Sequence, residues 1–95
     1  MAGAAGLGET AIPRLGRGVR LKHDAARDLW VLLAPERMLE LDAVALEIVR
    51  RVDGRANLGG IVDDLARTFA ADRGEILGDV AGFLSDLADK RIIVT

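Results

Sequence analysis

Apolar and polar residues alternate from Val19 onwards and predict three short strands in the first half of the chain. Segment 19–23 places apolar side chains on one face and cationic ones on the other, as in a half-buried strand. Segment 29–33 is a continuous apolar run between turn residues, which predicts a central strand covered on both faces. Segment 38–41 alternates again. Polar and proline-containing turns join the three, so an antiparallel meander is expected.

The apolar period then changes to about 3.6 residues and predicts three helices. Each helical segment follows a candidate N-cap: Asp42, Asn57 and Asp72. The first helix is expected to end at Gly54, in the left-handed C′ conformation. The third begins with a capping box completed by Glu75 and runs to about Asp89. Segment 92–94 is β-branched and predicts a short final strand.

This order of elements predicts an α+β fold, a three-stranded antiparallel sheet followed by three helices. Those are the parts of a winged helix-turn-helix domain. With 95 residues, the chain has the length of one domain. Residues 1–12 are small and unpatterned and are expected to form a disordered N-terminal tail. Residues 13–95 are expected to form the folded domain.

Composition excludes several classes of protein. There is no cysteine, which rules out disulfides, thiolate metal sites and a cysteine nucleophile. Apolar segment 29–34 is too short to span a bilayer, and the N-terminus lacks the features of a signal peptide, so a cytoplasmic protein without membrane contact is expected. Net charge is −2 and the predicted helices are acidic. Phosphate repulsion therefore disfavours a nucleic-acid partner.

Candidate catalytic chemistry is sparse. His23 is the only histidine and Ser85 the only serine, and no base is placed to activate that hydroxyl. The acidic pairs on the helices are typical of solvated faces. One histidine without cysteine cannot assemble the usual zinc ligand set. We therefore predict no catalytic residue, no metal and no cofactor, and a protein that is not an enzyme.

Two features exceed what a core requires. Apolar residues on the third helix cover an arc of about 160°, which divides into two stripes. One consists of Ile76, Val80, Phe83 and Leu87, and the other of Leu77, Ala81, Leu84 and Ala88. The sequence leaves open which stripe faces the core, with Val80 and Phe83 favoured at the boundary. The third strand is a candidate sheet edge. An edge beside an apolar groove suits a peptide that binds as an added strand.

Other features keep two interpretations. Trp30 fits core packing, and ligand stacking is the alternative. The basic stretch 14–27 fits either a solvated face or an acidic partner. Gly78 and Gly82 on the third helix fit a solvent-facing stripe or the close approach of a partner backbone.

Three blocks in order carry a resemblance to a known family: Arg20–Asp24 within segment 13–24, Leu33–Arg37 within segment 30–37, and Val52–Gly54. Together they resemble the PqqD family, and the similarity extends from Ile12 to Val94. The sequence departs from the family pattern at the start of the second helix, where Asn57 and Gly60 stand in place of a Thr and Glu pair. A glycine common at the end of the last helix is also absent from segment 90–92.

The resemblance implies a peptide chaperone, or recognition element, in pyrroloquinoline quinone biosynthesis. Such a protein binds the precursor peptide PqqA and presents it to the radical S-adenosylmethionine enzyme PqqE, which holds the cofactor and iron–sulfur clusters. A monomer is expected, with a homodimer as the alternative. The rival functions are a winged-helix nucleic-acid binder, another protein-interaction module and a small enzyme.

The expected peptide contacts lie on the third strand and the third helix. The strand would pair antiparallel with the peptide, and the helix would line the neighbouring groove, with Asp79 at its rim. The expected peptide-binding residues are Arg37, Met38, Leu39, Glu40, Leu41, Ile76, Asp79, Val80, Phe83 and Leu84.

Overall fold

The computed structural model describes residues 7–95 and contains five strands and three helices within that range. The strands are β1 (Arg14–Leu15), β2 (Arg20–Asp24), β3 (Leu29–Ala34), β4 (Arg37–Leu41) and β5 (Ile93–Val94). The helices are α1 (Ala43–Val49), α2 (Leu58–Phe69) and α3 (Arg73–Asp89). No helix within the described range is long and apolar enough to cross a membrane.

The three-stranded sheet confirms the predicted meander. Its order is β2-β3-β4, both pairs are antiparallel, and β3 lies in the centre. Asp28 and Glu36 adopt left-handed backbone conformations in the two connecting turns, with φ of 51° and 63°. Since β4 pairs only with β3 among the described residues, its outer edge is free.

All three predicted N-caps are confirmed, because each side chain accepts a hydrogen bond from a backbone N–H in the first turn of its helix. Asp42 accepts from Ala45 at 2.7 Å and Asn57 from Gly60 at 2.8 Å. Asp72 accepts from Glu75 at 3.0 Å, as the predicted capping box requires. These local bonds fix where the helices begin.

The first helix ends earlier than predicted, at Val49 instead of Gly54. After it, the N–H groups of Arg51 and Val52 donate to carbonyls three residues back, at 3.1 and 3.0 Å, which tightens the last turn. Gly54 does have a left-handed backbone, with φ of 77°. Its N–H donates to the Pro13 carbonyl at 3.2 Å, so this glycine serves a loop contact instead of a helix C-terminus.

Residues 7–12, the described part of the expected tail, lie against the start of α2, while residues 1–6 lie outside the described range. The carbonyls of Glu9 and Ala11 accept from Gly59 and Leu58, at 2.9 and 2.8 Å. They thereby satisfy two N–H groups that the start of α2 would otherwise leave unpaired. A Cβ at Gly59 would lie 3.3 Å from Cβ and 3.4 Å from the carbonyl oxygen of Glu9, so the two segments pack closely there.

The predicted final strand is present as β5, and it pairs with β1, which the sequence pattern did not reveal. Next to this pair, the Gly16 N–H donates to the Ile92 carbonyl at 2.7 Å. Both strands have two residues, too few for any alternation to be visible in the sequence.

The core lies between the three helices and one face of the sheet. Leu32 and Leu41 belong to it from the sheet side, and the helices contribute most of the remaining buried residues. Sequence analysis predicts that β3 is covered on both faces, and this is confirmed at its centre, since Val31 and Leu32 point to opposite faces and are 2% and 0% exposed. The helices pack on the Leu32 side. Leu29, Val31 and Leu33 lie on the other face, where Val31 is buried and Leu29 and Leu33 are half-buried.

Candidate functional site

The free edge of β4 presents a row of backbone groups to solvent. Arg37, Met38 and Glu40 have exposed side chains, whereas Leu39 is half-buried and Leu41 is buried. A β-turn over Ala34–Arg37 directs the Arg37 N–H towards β3. Backbone groups alternate in direction along an antiparallel strand, so Leu39 and Leu41 also direct theirs to β3. We infer that the free donors and acceptors at the edge are those of Met38 and Glu40.

An apolar groove opens beside the end of β4. It consists of two adjoining cavities, of about 460 and about 260 Å³, which share Val44, Ile48 and Asp79. Buried side chains form its floor: Ile48, Leu65 and Val80. Its walls include Val44 and Phe69, which are 65% and 54% exposed. Both line the same cavity, and exposed apolar side chains that lie together make it a candidate binding surface.

Most predicted residues of α3 line this groove. Ile76, Asp79 and Val80 line the larger cavity, and Phe83 lines the smaller one with Asp79. Leu84 does not line either cavity, and its side chain is fully buried in the core. Leu87, from the same stripe as Phe83, is also buried in the core and lines neither cavity, so only part of that stripe faces the groove.

The strand and the groove meet at one point only. Of the predicted residues on β4, Glu40 alone lines a cavity. Arg37, Met38 and Leu39 precede it along the edge, and Leu41 is buried in the core, so a peptide that follows β4 would meet the groove at Glu40.

Sequence reasoning missed the walls contributed by α1 and α2. Ala43, Val44 and Glu47 come from α1, and Phe69 is the last residue of α2. Val44 and Phe69 follow the same helical period as the core residues around them. Periodicity alone cannot tell a core-facing apolar residue from one at a groove, because both lie on the same stripe.

Carboxylates surround the groove. Glu40 accepts from Arg27 at 2.6 Å, and Glu47 accepts from Arg51 at 3.0 Å. Asp42 caps α1, whereas Asp79 makes no ion pair within residues 7–95. Asp79 is therefore the carboxylate at this rim that remains available to a basic group.

Trp30 lies away from the groove, half-buried on the core side of the sheet. The ring centroids of Trp30 and His23 are 4.9 Å apart. The Arg50 guanidinium carbon lies 5.2 Å from the Trp30 ring centroid. Nε2 of His23 lies 3.2 Å from a carboxylate oxygen of Asp28. These contacts favour packing as the role of Trp30. No group of three or more potential metal ligands occurs within the described range.

A free sheet edge beside an apolar groove is typical of small domains that recognise a peptide by strand addition. A family model described as Coenzyme PQQ synthesis protein D (PqqD) matches residues 30–93. A PqqA binding protein from Xanthomonas euvesicatoria is 49% identical over 81 residues, which span 85% of this chain and 88% of the relative. By this similarity the chain belongs to the PqqD family, and the resemblance noted from the sequence is confirmed.

Two solved structures share the fold. One is the solution structure of the PqqD truncation of Methylobacterium extorquens PqqCD, described as a functional, stand-alone recognition element for ribosomally synthesized and modified peptides. It matches with a TM-score of 0.82 at 39% identity, covering 97% of this chain and 98% of that one. The crystal structure of PqqD from Xanthomonas campestris matches with a TM-score of 0.61 at 46% identity, covering 94% and 99%. The predicted α+β fold is thereby confirmed, and winged helix-turn-helix describes it loosely.

Proposed function

We propose that this chain binds the precursor peptide PqqA as a strand added to β4 and presents it to the radical S-adenosylmethionine enzyme PqqE. The observation that carries this proposal is the free β4 edge leading at Glu40 into an apolar groove. The relatives named PqqA binding protein support the identity of the peptide.

Under this proposal, main-chain bonds at β4 provide affinity for the peptide, and side-chain contacts in the groove select its sequence. Main-chain hydrogen bonds from Met38 and Glu40 hold any extended peptide, because backbone groups are the same in every residue. Side chains of the added strand alternate between the two faces of the sheet. Those on the core side reach the groove, where burial contributes roughly 25 cal/mol per Å² of apolar surface. An apolar residue with a basic neighbour near Asp79 would fit this site best.

We also propose that the chain has no catalytic activity of its own and acts as a cytoplasmic monomer. The groove is lined by apolar side chains and carboxylates, and it contains no nucleophile with a neighbouring base. Chemistry on the peptide would then belong to PqqE.

A proline at Met38 tests the strand assignment. Met38→Pro removes one N–H from the free edge, and proline is tolerated on edge strands when that N–H faces solvent. We expect a weaker affinity for PqqA, by about tenfold, in a calorimetric titration. Met38→Leu is the matched control and should bind as the parent does.

Leu39→Pro should behave differently, because its N–H is inferred to face β3. Loss of that ladder bond should lower the melting temperature as well as the affinity. If Met38→Pro folds and binds PqqA as tightly as Met38→Leu, the peptide does not add to β4.

A further inference from the structure

Arg51 joins two helices that form walls of the groove. It follows the end of α1, and its guanidinium reaches α2, where Nε donates to Oδ2 of Asp64 at 2.5 Å. On the α1 side, Nη1 donates to both the carbonyl oxygen and Oε1 of Glu47, at 2.8 and 3.0 Å. Because the guanidinium is planar and its donors have fixed directions, these bonds to two helices hold it in one orientation.

Partial burial distinguishes this ion pair from an ordinary surface pair. The side chain of Arg51 is 20% exposed and that of Glu47 is 30% exposed. Isolated ion pairs in open water contribute little, whereas pairs within a network of fixed geometry contribute more. The hydrogen bond from Arg51 is the main cause that lowers the pKa of the Asp64 carboxyl below its ordinary value, so this carboxyl stays charged near neutral pH.

Glu47 is the residue that links Arg51 to the groove. Its side chain lines the larger cavity together with Leu65 and Phe69 of α2, whereas Arg51 lines neither cavity. The other carboxylate that lines the larger cavity is Asp79, which makes no ion pair within residues 7–95. The larger cavity therefore carries one uncompensated negative charge instead of two.

We propose that Arg51 is a positioning residue that sets the specificity of the peptide site through Glu47, without touching the peptide itself. By neutralising Glu47, Arg51 makes the larger cavity select an uncharged apolar side chain and leaves Asp79 as the one partner for a basic group. The identity of the peptide rests on the proposed function, whereas the charge of the cavity rests only on the contacts of Arg51 and Glu47.

The alternative role of Arg51 is purely structural, to hold α1 against α2. Arg51→Met separates the two roles, because it keeps most of the aliphatic stem and removes the cation. Glu47 then loses its nearest cation, since Arg50 lies farther away, at 3.5 Å. A structural role alone would change only the stability, whereas the proposed role changes the preference of the cavity for charge.

Benzyl alcohol and benzylamine measure this preference without the peptide, since they have similar shapes and differ in charge. Their affinities are compared by NMR titration of the amide signals around the groove. Arg51→Met should raise the affinity for the amine relative to the alcohol about fivefold, because Glu47 becomes available as a second counter-ion. E47Q/R51M should lose this gain. Arg67→Met is the matched control, because it removes a cation that pairs with Asp64 at 3.2 Å and not with Glu47, and it should change the ratio less than about twofold.

The same variants should also differ towards PqqA. Arg51→Met should weaken PqqA binding about fivefold, because an apolar side chain in the cavity would then remove water from an unpaired carboxylate. E47Q/R51M and Arg51→Lys should each restore most of the affinity, the first by removing the carboxylate and the second by supplying a cation.

The two kinds of ligand separate this proposal from the proposed function. If the small probes behave as expected and the parent fails to bind PqqA, the proposed function is wrong and the role of Arg51 stands. If neither probe shifts the groove signals, or if Arg51→Met has the same preference as Arg67→Met, the role assigned to Arg51 is wrong. Glu47→Gln alone keeps the test decisive should Arg51→Met not fold. It should leave the preference of the parent unchanged, and a fall in amine affinity as large as that of Asp79→Asn would show that Arg51 does not neutralise Glu47.

Discussion

Nη2 of Arg73 donates to Oε1 of Glu9 at 2.6 Å and thereby ties the start of α3 to the N-terminal segment, 64 residues away in sequence. The same guanidinium donates from Nε to Asp63 at 2.5 Å. The hydrogen bond from Arg73 and its positive charge lower the pKa of the Glu9 carboxyl below its ordinary value. This ion pair holds residues 9–12 against the start of α2.

The Glu9–Arg73 pair predicts a pH-dependent contribution to stability. The folded pKa of Glu9 lies below its unfolded value, so the contribution is present above the unfolded pKa and is lost as pH falls through the folded one. We expect Glu9→Gln to lower the free energy of unfolding near neutral pH and to match the parent at about pH 2. Urea titrations at the two pH values measure this difference.

Glu36→Gln is the control for that experiment, since Glu36 makes no ion pair within residues 7–95. Its stability should follow the parent at both pH values. A Glu9→Gln deficit of equal size at low and neutral pH would mean that the ion pair contributes nothing and that the substitution acts through packing.

Groove walls and core residues should respond differently to truncation. Phe69 is 54% exposed and lines the larger cavity, so Phe69→Ala should weaken PqqA binding about tenfold while costing less than about 1 kcal/mol of stability. Leu84 is fully buried, and Leu84→Ala should cost about 2–5 kcal/mol. Unfolding and peptide titrations on both variants are needed. A loss of stability for Phe69→Ala without a loss of affinity would assign Phe69 to the core.

Substitution by alanine should destabilise the protein at Gly16 and stabilise it at Gly78. A Cβ at Gly16 would lie 3.0 and 3.1 Å from the carbonyl oxygens of Arg91 and Ile92, neither of which can swing away. Gly16→Ala should therefore cost about 1–3 kcal/mol. A Cβ at Gly78 meets nothing within 4 Å, and Gly78→Ala should stabilise α3 by about 1 kcal/mol.

Thermal unfolding of both glycine variants checks these signs. Gly78 does not line the groove, so its alanine variant should bind PqqA unchanged. A selective loss of peptide affinity in Gly78→Ala would instead support the close approach of a partner backbone on that side of α3.

The Asp79 carboxylate should affect the rate at which the peptide associates more than the affinity of the final complex. Asp79→Asn removes the unpaired carboxylate at the groove rim, so association with PqqA should slow and become less sensitive to salt. Asp86→Asn removes a charge from the same helix away from the groove and serves as the control. Stopped-flow association rates at low and high salt make the comparison. Equal salt dependence in the parent and Asp79→Asn would show that the peptide presents no basic group there.

The sequence by itself determined the local elements of this protein. The N-caps at Asp42, Asn57 and Asp72, the two alternating segments and the apolar run between them act within a few residues, so their effects can be read from neighbours in the chain. The same local signals placed β4 at an edge and identified Ile76, Asp79, Val80 and Phe83 as candidates beside it.

Only the tertiary structure decided which surfaces meet. Glu9 reaches Arg73, β1 pairs with β5, and Phe69 becomes a groove wall through contacts between segments far apart in sequence. The apolar run of β3 predicts burial on both faces, and Val31 and Leu32 are both buried. Only the fold shows that the helices pack on the Leu32 side. Periodicity records that a side chain is apolar and which way it points from its own strand or helix. What lies opposite it depends on how the whole chain packs.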